Sequence, residues 1–313
     1  MMFAHKRGRL VLGVVAIAVG ATLAGCSSGD PLSGGSSESG ASKKAITIGS
    51  QGFSESEILA QIYGQVLAAN GYTVDYNPGI GSRETFIPGL KDGSIDLIPD
   101  YSGNLLYGAD PSATATSSED VQAALPKALA SEGLAVLDAA PAEDADALVV
   151  TPEFAAKNNL KTIADLAPIA STITLGANTE FEGRPYGRKG LESVYGVTGW
   201  TFKAIDDYGG PGTLSDLLAN KIQVADIYTT TPSIKQNNLV VLEDPENLIA
   251  AQNIVPLLNS KVASKDIAAL LNPVSAKLTT QDVLDMNEES NSDAKPSPDK
   301  IATEWLTANG FLK

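Results

Sequence analysis

Short apolar runs alternate with amphipathic helical segments after residue 44, an order typical of α/β proteins. The run Ala45–Gly49 predicts a strand, and Tyr72–Tyr76 predicts a second one. The intervening residues 54–70 place their apolar side chains on one helical face. Ser54 and Glu57 have the spacing of a capping box, so this helix is expected to begin with side-chain capping.

The next helix and strand lead to a candidate ligand site. Ser82 is expected to be the N-cap of a helix that stops at Gly93. The apolar run Ile95–Ile98 predicts a strand buried on both faces. Ligands of open α/β sheets bind outside the carboxyl ends of the strands. Tyr101 and Asn104 follow this strand, so they are expected to lie at such an end. A half-buried loop aromatic is the alternative interpretation of Tyr101.

The remaining pattern predicts two α/β lobes joined by two crossings. The first crossing is expected at Asp144–Val150, and Ile254–Leu258 is expected to return the chain. Lobe 1 then comprises residues 45–148 and 256–313, and lobe 2 comprises 149–255. Each lobe is expected to hold a sheet flanked by helices, with parallel strands where the order is βαβαβ. Two lobes with two hinge crossings are typical of proteins that close on a ligand.

The first 44 residues have the composition of a leader followed by a tether. An apolar run of sixteen residues, Leu10–Gly25, suits a signal-peptide core better than a membrane span. It ends in LAGC, which resembles a bacterial lipoprotein processing site and implies a lipid on Cys26; an ordinary secretory signal is the alternative. We therefore expect a signal peptide at 1–25 and a flexible Ser/Gly tether at 26–44. The protein would be held on the extracytoplasmic face of the cell membrane.

Charge and residue usage exclude several function classes. The formal net charge is −15, and removal of the leader's three basic residues takes it to −18. This disfavours nucleic acid and anionic lipid as direct partners. His5 and Cys26 are the sole His and Cys, so a chain starting at Cys26 has no Ser-His-Asp, Cys-His or Cys/His zinc site and no internal disulfide. We expect a monomer with neither cofactor nor metal.

Five blocks of sequence resemble the substrate-binding subunits of ABC importers for glycine betaine, choline and proline betaine. They are ITIGSQGFSESEIL at 46–59, GSRETFIPGLKDGSIDLIPDYSG at 81–103, EFEGRPYGRKGL at 180–191, DIYTTT at 226–231 and VVLED at 240–244. The resemblance covers roughly residues 45–312 and implies a two-lobed, type II periplasmic-binding-protein-like fold. It also implies a separate permease and a separate ATPase, because this chain has no P-loop of its own.

The resemblance further implies a quaternary ammonium held in a cage of tyrosines by cation–π attraction. Tyr101 and Tyr228 match two cage tyrosines of the family, and Arg184 matches an arginine that holds a carboxylate tail. Two other aromatic positions of the family fall here on Asp146 and Gln252. The remaining candidate ligand contacts are Asn104, Gln51 and Ser82.

These departures leave two interpretations of the pocket. Asp146 is either the countercharge to a cation or one of several polar groups that bind a neutral hydroxylated or aromatic solute. An ion pair between Arg184 and Asp146 would instead be structural. Tyr186 and Tyr208 are candidates to complete the cage, although the start of a helix favours a surface position for Tyr186.

Two other function classes are alternatives to import. A ligand sensor would use the same fold. A glycosidase would need paired carboxylates, and the neighbouring acids Asp206-Asp207 and Glu243-Asp244 are expected to be surface or turn residues instead. No motif ties either pair to a site, so no enzymatic activity is expected.

Overall fold

The computed structural model describes residues 44–313, which form two lobes, each built on a five-stranded sheet. The predicted signal peptide, Cys26 and nearly all of the tether lie outside the described residues. Within 44–313, no helix combines the length and the apolar character needed to cross a membrane.

Lobe 1 contains the first part of the chain and its end. Its strands are β1 (Ala45–Gly49), β2 (Thr73–Asn77), β3 (Leu97–Tyr101), β4 (Leu134–Val136) and β10 (Ile254–Asn259). They are ordered β2-β1-β3-β10-β4. The helices around them are α1 (Ser54–Ala69), α2 (Arg83–Asp92), α3 (Ser102–Ala109), α4 (Ser118–Ala130), α9 (Lys265–Lys277), α10 (Thr280–Ser290) and α11 (Pro298–Ala308). Every residue of β3 is buried, as expected for the strand predicted at Ile95–Ile98, but β3 begins two residues later and includes Tyr101.

Lobe 2 is formed by the middle of the chain. Its strands are β5 (Leu148–Val150), β6 (Thr174–Ala177), β7 (Thr201–Ala204), β8 (Val224–Asp226) and β9 (Val240–Val241), in the order β7-β6-β8-β5-β9. Its helices are α5 (Pro152–Asn158), α6 (Arg188–Tyr195), α7 (Pro211–Leu218) and α8 (Ser233–Gln236), with 3₁₀ turns at Ile163–Thr172 and Thr179–Gly183.

Both sheets are mixed, so the expectation of parallel strands holds only for part of each. In lobe 1, β1 pairs in parallel with β2 and β3, whereas β10 runs antiparallel to β3 with Ile254 beside Tyr101. In lobe 2, β5 runs antiparallel to β8 with Leu148 beside Asp226. The reason is geometric: β3 and β8 end at the cleft, and a strand that enters its lobe from the cleft must run the other way.

The two crossings lie side by side at the hinge. Glu143 forms a bridge with Asn253, and the amide of Asp144 donates to the carbonyl of Gln252 at 3.2 Å. Strand pairing assigns Leu148 to lobe 2 and residues 254–255 to lobe 1, so each boundary lies one or two residues before its expected position.

The start of α1 differs from the prediction. Phe53 occupies the N-cap position and no side chain caps the helix, so the expected capping box at Ser54 and Glu57 is wrong. The Phe53 ring instead packs among aromatic rings at the cleft. Ser82 does occupy the N-cap position of α2, but its side chain does not bond the helix amides. The short helices α3 and α5 were not predicted.

Candidate functional site

The carboxyl ends of β3 and β8 meet at a small cavity between the lobes, called here the inner cavity. The side chains that line it are Gln51, Phe53, Ser82, Arg83, Tyr101, Asn104, Asp144, Asp146, Asn178, Glu180, Phe181, Arg184, Tyr186, Tyr208, Asp226 and Tyr228. Eight residues were predicted from the sequence to contact the ligand. Seven of them lie on the wall of the inner cavity, and Gln252 is the exception.

Aromatic rings from both lobes form one side of the inner cavity. The Phe53 ring lies at their centre, with centroid distances of 6.2 Å to Tyr101, 5.2 Å to Tyr208 and 5.9 Å to Tyr228. The sequence analysis did not include Phe53 among the candidate ligand contacts. The rings come from separate parts of the chain and together present π faces and hydroxyl groups to a ligand.

Tyr208 owes its position to an unusual backbone conformation. Its φ of 56° lies in the left-handed region, and Gly209 follows with a φ of 70°. The side chain of Asn178 stabilises this turn by accepting from the Tyr208 amide at 2.9 Å. The ring reaches Gly52 of lobe 1, where an added Cβ would lie 3.1 Å from it. A glycine at position 52 thus permits the two lobes to approach at this point.

Asp146, for which the resemblance implied an aromatic position of the family, faces the inner cavity. It accepts hydrogen bonds from Tyr186 Oη at 2.7 Å and from Asn104 Nδ2 at 3.0 Å. Tyr186 is 4% exposed, so its expected surface position is wrong. The hydrogen bond to Asp146 explains why its hydroxyl tolerates burial.

Two buried acids, Asp144 and Asp226, lie near the half-buried Asp146, and the sequence prediction missed both as ligand-site residues. Burial, together with the neighbouring Asp146 carboxylate, raises the pKa of Asp226 well above its ordinary value. Burial is the main cause that raises the pKa of Asp144, and the nearby Glu55 carboxylate adds to it. The Thr230 amide, which donates to Asp144 at 2.9 Å, opposes this shift. A bound cation would favour the ionised form of these acids, because it would offset the repulsion between their charges.

The two arginines on the cavity wall are already paired with acids. Arg83 binds Asp100 through two hydrogen bonds, and this carboxylate raises the pKa of Arg83 despite the opposing effect of burial. Arg184 forms an ion pair with Glu84 across the cleft at 3.0 Å. The suggested structural pair between Arg184 and Asp146 is therefore wrong, because α2 presents Glu84 to Arg184 instead.

Gln252 and Gln51 have supporting positions. Gln252 is 1% exposed, and its Oε1 accepts from the Asn104 amide at 3.0 Å in the first turn of α3. Its side chain therefore lies behind Asn104 and not on the cavity wall. Gln51 lines the cavity and donates from Nε2 to Asp100 Oδ1 at 3.4 Å.

A buried carboxylate connects the two lobes beside the aromatic rings. Glu55 of α1 accepts three hydrogen bonds of 2.6 Å, from Tyr101 Oη, Asn287 Nδ2 and Thr230 Oγ1. Thr230 belongs to lobe 2, whereas the other three residues belong to lobe 1. The Thr230 hydroxyl thus links lobe 2 directly to lobe 1.

Replacing Thr230 by valine is expected to weaken ligand binding by roughly 10- to 100-fold. The change keeps the shape of the side chain but removes a hydrogen bond to a carboxylate, which is worth about 1.5–3 kcal/mol. When the lobes are apart, Glu55 retains its two donors from lobe 1, so the cost falls on the closed form. Titration calorimetry would measure the affinity. Thr231→Val is the matched control, since its side chain makes no hydrogen bond within residues 44–313; equal affinities in both variants would contradict the prediction.

The two acid pairs considered for an enzyme have local roles. Asp207 accepts from the amides of Gly212 and Thr213 at 2.7 and 3.0 Å, at the start of α7. Asp244 accepts from the amides of Leu248 and Ile249 at 3.1 and 2.8 Å. Neither residue lines the inner cavity. Their geometry explains them as turn-forming residues.

Two proteins similar to this chain are named as binding proteins for small solutes. The chain is 24% identical over 280 residues to the carnitine transport binding protein OpuCC of Listeria monocytogenes, covering 88% of this chain and 90% of the relative. It is 25% identical over 283 residues to the glycine betaine-binding protein YehZ of Escherichia coli, covering 86% and 92%.

Solved structures confirm the predicted type II fold. A crystal structure described as a glycine betaine/carnitine/choline ABC transporter has a TM-score of 0.68 at 20% identity and covers 87% of this chain and 100% of that one. A choline-binding protein of an ABC transporter in complex with choline has a TM-score of 0.64 at 14% identity, covering 85% and 88%. Finally, the family described as the substrate binding domain of ABC-type glycine betaine transport systems matches residues 44–308. The chain belongs to this family of substrate-binding domains.

Proposed function

We propose that this protein is the lipid-anchored, extracytoplasmic solute-binding subunit of an ABC importer and that its solute is a quaternary ammonium compound. One observation carries the proposal: Tyr101 of lobe 1 and Tyr228 of lobe 2 line the same cavity as the half-buried Asp146. The names of the relatives agree with this chemistry. The bound solute would hold the lobes together for delivery to a separate permease driven by a separate ATPase.

The aromatic wall suits the methyl groups and the diffuse charge of a quaternary ammonium. Each well-placed ring contributes about 0.5–2 kcal/mol of cation–π attraction, with the larger values in desolvated sites. Asp146 adds a negative charge, which attracts a cation more strongly than an aromatic ring at the same position would. The departure from the family's aromatic pattern therefore keeps the preference for a cation.

A neutral, hydroxyl-rich solute fits this wall less well. Its hydroxyl groups could donate to the carboxylates but would leave their charge unbalanced, and the donors that its own oxygens would need, Asn104 and Tyr186, already donate to Asp146. Arg184 is likewise engaged by Glu84. The groups left to meet a ligand are mainly aromatic faces and carboxylates, which favours the first of the two interpretations of Asp146.

Calorimetric titration with choline, glycine betaine and carnitine would test the proposed ligand class. At least one is expected to bind with a micromolar dissociation constant. The matched control ligand is 3,3-dimethyl-1-butanol, which has the shape of choline with carbon in place of the charged nitrogen, and it is expected to bind at least 100-fold more weakly. Equal binding of this alcohol and choline would overturn the cation site. Loss of uptake of the same solute in a deletion strain would separate import from sensing.

Cys26→Ser is expected to release the protein from the cell membrane, because the proposed anchor is a lipid on this cysteine. Fractionation followed by immunodetection would measure the released share, and growth with a lipid precursor that carries a label would show modification of the wild type. A substitution of the neighbouring Ser27 is the control and should leave the protein with the membrane. Membrane retention of the Cys26 variant would contradict the anchor. The monomeric state is also proposed, and sedimentation of the released protein would test it.

A further inference from the structure

We propose that the inner cavity selects solutes of net positive charge, such as quaternary amino alcohols, and discriminates against zwitterions that carry a free carboxylate. This inference rests on the proposed function and narrows the solute class within it. It follows from how the charges on the cavity wall are paired, and from one buried oxygen that has no partner.

The cavity wall carries more acid than base. Four carboxyl groups line it, and the cationic side chains on the same wall are two arginines. The acids are Asp144, Asp146, Glu180 and Asp226. A monocation would stabilise the ionised form of these acids and offset their charge, whereas the carboxylate of a zwitterion would be repelled by them. In a site shielded from water such differences are large, because the attraction or repulsion between charges is weakly screened.

Both arginines are largely committed to other carboxylates. The side chain of Asp100 is fully buried against Arg83, so this pair is held within the protein. Arg184 is paired with Glu84, whose side chain is more exposed. A carboxylate tail would therefore have to compete with an existing acid for either arginine. The hydroxyl of an amino alcohol needs no such exchange, since it can donate to a carboxylate on the wall.

Asp226 is a second, independent observation that points to a cationic ligand. It ends β8 at the cleft, is 5% exposed, and its Oδ1 has no hydrogen-bond partner among the described residues. A buried polar oxygen without a partner is costly in a folded protein. Since Asp226 lines the same cavity as Asp146, a bound cation would face both side chains.

Calorimetry with three ligands of nearly the same shape would test this selectivity. Choline and betaine amide are cations, whereas glycine betaine carries a carboxylate in place of their neutral tails. Choline and betaine amide are expected to bind at least tenfold more tightly than glycine betaine. In Asp146→Asn and Asp226→Asn this ratio is expected to fall at least threefold. The control is Glu192→Gln, which removes an acid of lobe 2 that does not line the cavity. It should leave the ratio unchanged.

The possible results separate this inference from the proposed function. Glycine betaine that binds as tightly as choline or more tightly would overturn the selectivity and leave the quaternary-ammonium site in place. An unchanged ratio in both cavity variants, each shown to be folded by circular dichroism, would overturn the role of these acids. Absence of binding for all three ligands would overturn the proposed function and the selectivity with it.

Discussion

Tyr101→Ala is expected to lower the affinity for a quaternary ammonium about 100-fold and to destabilise the protein by about 3–5 kcal/mol, the usual cost of removing a large buried aromatic side chain. Tyr101 is 7% exposed and has two functions at once. Its ring belongs to the aromatic wall beside Phe53, and its hydroxyl donates to Glu55 at 2.6 Å. The alanine variant loses both.

Tyr101→Phe would separate these two contributions. It keeps the ring and removes the hydroxyl, which leaves Glu55 with its bonds to Asn287 and Thr230. Loss of a hydrogen bond at a buried group costs about 1–3 kcal/mol. We therefore expect a clear loss of stability in the phenylalanine variant, with a decrease in affinity of less than about tenfold.

Calorimetry and thermal unfolding of both variants would check these values. Tyr107→Ala is the matched control, because Tyr107 follows in α3 but does not line the inner cavity. Its affinity is expected to stay within twofold of the wild type. Wild-type affinity in a folded Tyr101→Ala protein would show that this ring is not part of the ligand site.

The unliganded protein is expected to lose stability as the pH rises from 5 to 8, and a saturating quaternary ammonium ligand is expected to reduce this loss. The cause is the buried acids between the lobes. Burial raises the pKa of Glu55 above its ordinary value, and burial with neighbouring carboxylates does the same for Asp144 and Asp226. Folding therefore favours the protonated form of each group.

The sign follows from proton linkage. A group whose pKa is higher in the folded state contributes full stability below its unfolded pKa of about 4. This contribution decreases as the pH rises through the folded pKa, by up to about 1.4 kcal/mol per pH unit for each group. Acids with lowered pKa values, such as Asp165 and Asp216, act in the opposite direction but only as the pH falls below about 4.

Thermal unfolding between pH 5 and 8, with and without choline, would measure this dependence. Asp226→Asn is expected to make the slope less steep and to raise the stability of the unliganded protein at pH 8. Asp92→Asn is the control, because Asp92 is an exposed acid whose pKa is lowered by Ser94. A stability that rises steadily over this pH range in the wild type would contradict the prediction.

Much of the architecture was predictable because it depends on local pattern. Alternating apolar runs and helical faces indicated two α/β lobes, and the buried run before Tyr101 indicated a strand that ends at a cleft. The short helices α3 and α5 were not predictable from the sequence, because each has only about two turns. That is too few to show a clear helical period of apolar residues. The antiparallel direction of β5 and β10 was not predictable, because an apolar run does not indicate the direction in which a strand pairs.

The sequence by itself determined the two-lobed fold class, the family and the region of the cleft, since these depend on periodicity and on blocks of residues close together in the chain. Only the tertiary structure decided the pairing within the site. Arg184 meets Glu84, a residue 100 positions away, and leaves Asp146 free to face the cavity with Tyr186 and Asn104. Phe53 enters the aromatic wall while Gln252 stays behind it. These contacts depend on which side chains the two lobes bring together. A local sequence pattern cannot predict them, because the residues involved are far apart in the chain.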